Sequence, residues 1–140
     1  MGIRLCSLSS GSSGNCIFVG NDRSGLLVDC GISGKETLKN LHSIGVCSST
    51  IKAVVVTHEH SDHIKSVGII SRKLGIPIYA NINTWNSMRA LIGTVKPENI
   101  RSFKTGEELE IAGIGIKSFS IPHDAADPVG FSFYEGNNKV

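Results

Sequence analysis

Long apolar runs, paired cysteines and histidine outside one region are all scarce in this 140-residue chain. No apolar stretch approaches the roughly 18 residues of a membrane-crossing helix, so no membrane span is expected. Met1-Gly2-Ile3-Arg4-Leu5 leads straight into a strand-like segment, so a secretory leader is not expected either. Cys6, Cys16, Cys30 and Cys47 form no C-x-x-C pair. They read as reduced thiols of a cytoplasmic protein, with Cys6, Cys16 and Cys30 in strands and a disulfide framework as the weaker alternative. The formal net charge of +2 neither demands nor excludes nucleic acid, because binding follows a local patch rather than a total. Length and an ordinary apolar fraction suit one domain, and 16 glycines suit tight turns between short strands.

What is present is concentrated. Of five histidines, His58, His60, His63 and His123 stand apart from His42, which reads as a solvated helix residue. Thr57-His58-Glu59-His60-Ser61-Asp62-His63 directly follows Ala53-Val54-Val55-Val56, an apolar run that reads as a buried strand. The cluster therefore sits where the chain leaves the core. Imidazole and carboxylate are the usual ligands of zinc and related divalent ions. His58 and His60 are two apart, so an extended backbone turns both to one side. Asp62 and His63 follow at a turn and offer a second ligand set, so the spacing suggests two adjacent metals. Glu59 alternates with the two histidines and is expected to point away from the metals.

THEHSDH matches the H-x-H-x-D-H signature and resembles the metallo-β-lactamase superfamily. Leu26-Leu27-Val28-Asp29-Cys30-Gly31 is similar to that superfamily's strand ending in an aspartate. Ser120-Ile121-Pro122-His123-Asp124 resembles the later motif that supplies one more histidine. The Ser7–Asn15 opening, the HSDHI form of the metal motif and the His123–Phe131 stretch together resemble the WalJ/YycJ-type branch, whose members are 5′-to-3′ exonucleases. The resemblance covers essentially the whole chain.

It implies an α/β (α+β) αββα sandwich, represented here mainly by the N-terminal mixed β-sheet with helices on one face. It implies that His58, His60 and His123 hold one divalent ion while Asp62 and His63 hold the other. Zinc suits the histidines, and manganese or iron suits carboxylate-containing pairs. Two such ions activate a hydroxide and stabilise a phosphoryl or acyl transition state, so no serine nucleophile is needed. Asp62 is also a candidate catalytic acid–base group, and the sequence leaves ligand and base open. Asp29 is expected to orient a ligand histidine, with a plain turn aspartate as the alternative. The loop containing Ser9, Ser10, Ser12 and Asn15 reads either as a connection or as a substrate loop whose N–H groups and hydroxyls contact phosphate.

The superfamily pattern places a bridging aspartate and a final histidine after His123, and no histidine follows it here. Residues 1–140 are therefore expected to be an N-terminal half, with the second metal site incomplete. The implied function is a metal-dependent phosphodiesterase, a 5′-3′ exonuclease acting on DNA. Thioester or lactone hydrolysis of the glyoxalase II type is the alternative, and so is an inactive half-domain. Glyoxalase-like members carry paired glycines soon after the D-H, whereas Ile64-Lys65-Ser66-Val67-Gly68 stands here. Lys35, Lys39, Lys65, Arg72, Lys73 and Arg89 are the scattered candidates for phosphate contact. Trp85 reads as helix core rather than as a base-stacking residue.

The elements read as strands over 2–8, 15–20 and 25–30, then a helix capped by Ser33 with Glu36 and closed by Gly45. A strand over 52–57 precedes a helix from near His63 to Leu74, stopped by Gly75. A strand at 76–80, a helix capped by Asn83 or Thr84, and strands near 100–103, 107–111, 114–121 and 129–135 complete the chain. One mixed sheet with helices on one face leaves an apolar inner face, which soluble monomers rarely expose. A homodimer covering that face is the resulting expectation.

Overall fold

A computed structural model describes residues 2–12, 14–122, 125–135 and 138–139 of the chain. Strands β1 (Arg4–Ser9), β2 (Cys16–Gly20), β3 (Gly25–Val28), β4 (Ile51–Val55), β5 (Ile78–Asn81) and β6 (Ile100–Phe103) lie side by side in chain order. The first three pair antiparallel, and β3 to β6 pair parallel. Parallel neighbours need crossovers. These are α1 (Gly34–Ser43), the pair α2 (Ser61–Ile64) and α3 (Val67–Leu74), and α4 (Ile82–Met88).

The central strands are apolar along Leu26–Val28 and Ala53–Val55, where both of their faces are covered. Leu27, Val54, Ile78 and Ala80 pack with Leu41, Val67, Ile70, Trp85 and Met88 of the helices. The alternate positions Leu26, Val28, Ala53 and Val55 pack with Ile111, Ile114, Ile116 and Phe133. These last four belong to a second sheet of β7 (Glu108–Ile111), β8 (Ile114–Ser120), β9 (Val129–Glu135) and β10 (Asn138–Lys139), in the order β10-β9-β8-β7.

The expectation of one mixed sheet is thus corrected to two facing sheets. After β6 no crossover helix follows. Ala112 and Gly113, with φ of +52° and +83°, make a two-residue turn that folds β8 antiparallel onto β7. The hairpin starts a new sheet, which lies over the inner face of the first. This removes the argument for a homodimer: Val19, Leu26, Ala53 and Val55 are at most 1% exposed within a single chain.

Two local expectations also shift. The second helix does not run unbroken from His63, because Ser66 interrupts it: its N–H and its hydroxyl both donate to Cys30 O, at 2.8 and 3.3 Å. That pins the metal-motif helix to the end of β3. The cap of α4 is Asn81, whose Oδ1 accepts from Thr84 N, rather than Asn83 or Thr84. Cys30 also falls outside a strand, since β3 ends at Val28, but several other sequence signals hold. Ser33 Oγ accepts from Glu36 N, Gly45 and Gly75 end helices at φ of +79° and +67°, and Trp85 is buried with Nε1 donating to Arg101 O at 2.6 Å.

All four cysteines are free thiols. Cys16 and Cys30 are fully buried, and a hydrogen bond with Cys16, together with burial, pushes the Cys30 thiol well up. Cys47 is exposed, and its hydrogen bond with Ser49 lowers its thiol below the ordinary value. A larger thiolate fraction reacts faster. Iodoacetamide at neutral pH is therefore expected to alkylate Cys47 first, Cys6 more slowly, and Cys16 and Cys30 only on unfolding. Mass spectrometry of timed digests checks the order, and early labelling of Cys30 contradicts it.

Candidate metal centre

The site forms at the carboxyl ends of β3 and β4, where open parallel sheets place ligands. Asp29 follows Val28, and Thr57 to His63 follow the end of β4. Asp29 is buried and holds φ of +62°, a left-handed conformation that non-glycine residues seldom adopt. Its N–H donates to Val55 O at 2.8 Å, which ties the two strand ends together. Its Oδ1 accepts from Thr57 N at 2.8 Å, and its Oδ2 accepts from Thr57 Oγ1 at 2.7 Å and His63 Nδ1 at 2.6 Å. Three donors converge on it, so the carboxylate is the form that this network fits. Burial raises Asp29 above the usual carboxylate range, against the lowering pull of His63 and Thr57. For His63, burial works downward, but the hydrogen bond and charge of Asp29, with the charge of Asp62, leave the imidazole raised.

The network assigns both tautomers by proton counting. The Asp29 carboxylate can only accept, so His63 carries its proton on Nδ1. Thr57 has one hydroxyl proton and donates it to Asp29. At 2.9 Å from His58 Nδ1, Thr57 Oγ1 can then only accept, so His58 also carries its proton on Nδ1. In both rings Nε2 is thus the unprotonated nitrogen, the kind of atom that ligates a metal ion. A carboxylate that orients a histidine in this way is the usual companion of a metal-ligating imidazole.

The rings lie together. His58 and His63 have centroids 3.9 Å apart, and His58 and His60 have centroids 4.8 Å apart, edge-on. His60 is the N-cap of α2, and Asp62 and His63 lie in its single turn. Asp62 Oδ2 is 3.7 Å from His63 Nε2. His123, the remaining expected ligand, lies outside the described residues, as does Asp124. Among the described residues no three His, Cys, Asp or Glu side chains converge tightly enough to hold an ion by themselves. The donor chemistry nonetheless fits a divalent ion: two imidazoles of fixed tautomer, a third beside them and an adjacent carboxylate.

The Ser9–Asn15 loop divides in role. Ser9 Oγ donates to Gly14 O at 2.9 Å and closes the loop on itself. Ser10 is exposed. Asn15 turns toward the ligands: its Nδ2 lies 3.2 Å from Asp62 O, Asp62 Oδ2 and His63 Nε2, and 3.0 Å from Gly11 O. Its backbone N–H donates to Asp62 O at 2.7 Å. Asn15 therefore braces Asp62 and His63 rather than facing outward. Ser12 is exposed and lines a cleft of about 480 Å³ with Gly31, Ser61, Asp62, Lys65 and Leu91.

Glu59 Oε2 accepts from Ala126 N at 2.9 Å, so its carboxylate is engaged by a backbone amide. Of the scattered cations, Lys65 opens onto the Asp62 cleft, whereas Arg72 donates to Ile92 O and Thr94 O and holds a loop. Thr57 is the functional residue that sequence reasoning missed. Its signal was its place beside His58, but its role needs Asp29, which lies 28 residues away.

Comparison with known proteins agrees with this geometry. The model of the metallo-beta-lactamase superfamily matches residues 10–140. The exodeoxyribonuclease YycJ of Bacillus anthracis is 41% identical over 140 residues, covering 100% of this chain and 53% of that protein. The exodeoxyribonuclease WalJ of Streptococcus pneumoniae is 38% identical over 141 residues, covering 99% of this chain and 52% of that protein. The chain thus spans about half the length of these relatives. Among solved structures, BJP-1, a subclass B3 metallo-beta-lactamase of Bradyrhizobium japonicum, superposes with a TM-score of 0.80 at 14% identity, covering 96% of this chain and 56% of that one. MEM-A1, a subclass B3 enzyme from a soil metagenome, gives 0.75 at 16% identity over 96% of this chain and 56% of that one. At such identities these two speak for the fold alone. With its histidine loop and its two facing sheets, the chain belongs to the metallo-beta-lactamase superfamily.

Proposed function

We propose that this chain carries the metal-binding part of a metal-dependent phosphodiesterase that degrades DNA from an end. The observation that supports it most is the joint orientation of His58 and His63 by Thr57 and Asp29, in a chain 41% identical to an exodeoxyribonuclease along its full length. Divalent ions bound here, zinc or manganese or iron, lower the pKa of a water and polarise a phosphoryl oxygen. The residues of the chain prepare that site. Asp29 holds the Nδ1 proton of His63, Thr57 holds that of His58, and Asn15 steadies the Asp62 carboxylate. His58, His60, Asp62 and His63 are the ligands proposed from the described residues, with His123 by sequence. Lys65, Ser12 and Ser61 line the cleft beside Asp62, and a lysine with two serines suits a phosphate. Four free thiols suit a reducing, cytoplasmic setting.

Metal content by elemental analysis, followed by digestion of 5′-phosphorylated duplex DNA, tests the reading. The expected result is bound metal and release of nucleotides that a chelator abolishes. Turnover of a thioester with no turnover of DNA replaces the phosphodiesterase reading with the thioesterase alternative.

A further inference from the structure

Glu59 stands between two proposed ligands in the loop after β4. Its Oε2 accepts the Ala126 N–H at 2.9 Å across 67 residues of chain. Its Oε1 is buried, with no hydrogen-bond partner among the described residues. Taking a carboxylate partly out of water is costly, and the charge-assisted bond from Ala126 N–H offsets part of that cost. Three further bonds hold the same stretch. Asn81 Nδ2 donates to Asp127 O at 2.7 Å, Asn83 Nδ2 donates to Asp127 Oδ2 at 3.3 Å, and Val129 N donates to Thr57 O at 2.9 Å. All of them reach from the ends of β4 and β5 to the segment between β8 and β9, so they tie the first sheet to the second. Ala126 lies three residues after His123.

We propose that Glu59 is a positioning residue, a latch that fixes the His123-bearing segment against the loop that carries His58 and His60. This rests on the metal reading above, but the latch itself is a hydrogen bond from a backbone N–H to a side-chain carboxylate and can be read without any metal.

The test uses the 140-residue chain with Glu59→Ala, Glu59→Gln and Asn83→Ala variants. Hydrogen exchange of the Ala126 amide reads the latch, and zinc affinity by competition with a chromophoric chelator reads its consequence. Glu59→Ala is expected to speed Ala126 exchange about tenfold or more and to weaken zinc binding by about tenfold, as befits loss of one charge-assisted bond. Glu59→Gln keeps an acceptor oxygen and is expected to stay within about threefold of the parent on both, because a neutral bond still closes the latch. Asn83→Ala removes the longest of the bonds and should leave zinc binding within about threefold. Unchanged Ala126 exchange in Glu59→Ala overturns the proposal. So does faster exchange with unaltered zinc affinity, or a glutamine variant as impaired as the alanine one. A parent chain that takes up no zinc refutes the metal reading instead, and Ala126 exchange still decides whether the latch exists.

Discussion

Asp29→Ala is expected to lower the stability of the chain by about 3–5 kcal/mol, as removing one partner of a buried charged network does. The buried carboxylate accepts from Thr57 N, Thr57 Oγ1 and His63 Nδ1, and alanine leaves all three donors without that acceptor. The left-handed backbone at φ of +62° adds to the loss, because alanine tolerates it less well than aspartate. A denaturant titration followed by circular dichroism measures the effect. Asp29→Asn separates folding from ligand orientation. Its carbonyl can still accept from Thr57 N, but its NH2 would meet His63 Nδ1–H donor to donor. His63 must then move its proton to Nε2, the atom meant for the ion. Zinc affinity is therefore expected to fall about 10–100-fold in Asp29→Asn while the fold survives. Undiminished zinc binding in a folded Asp29→Asn chain would refute the tautomer assignment.

Gly31→Ala is the second large effect. A Cβ at Gly31 would sit 1.8 Å from Asp62 O, 2.4 Å from Asp62 C and 2.7 Å from Asn15 N. These are backbone atoms, so no side-chain rotation relieves the clash. Gly31 N donates to Asn15 O and Asn15 N donates to Asp62 O, at 2.8 and 2.7 Å, so three chain segments cross at this point. Overpacking of such a crossing costs about 1–3 kcal/mol or more, and relief comes only by moving Asp62 or Asn15. The expected outcome is a lower unfolding midpoint together with weaker zinc binding. A variant as stable as the parent, with unaltered zinc affinity, would show that the crossing is looser than the distances imply.

Much of the metal loop was legible in the residues themselves. Three histidines and an aspartate within His58–His63, after an apolar run, form a local pattern, and local patterns are what a sequence displays. The caps at Ser33 and Gly45 and the stop at Gly75 were legible for the same reason, since each depends on neighbours within a turn. Asp29 could be suspected from the strand before it. The roles of Thr57, Asn15 and Glu59 could not be, because their partners lie 28, 47 and 67 residues away.

The second sheet shows the same divide on a larger scale. Strands β7, β8 and β9 could be read from their patterns, but strand patterns do not say which sheet a strand joins. The turn at Ala112–Gly113 settled that, and with it the fate of the apolar inner face and of the expected dimer. By itself, the sequence determined the family and the order of elements and named the candidate donor residues, because these rest on residue chemistry and short-range periodicity. The tertiary structure alone decided the tautomers of His58 and His63, the bracing of Asp62 and the covering of Leu26, Val28, Ala53 and Val55. Each of those depends on a proton or a contact supplied from a distant part of the chain, and only folding brings such groups together.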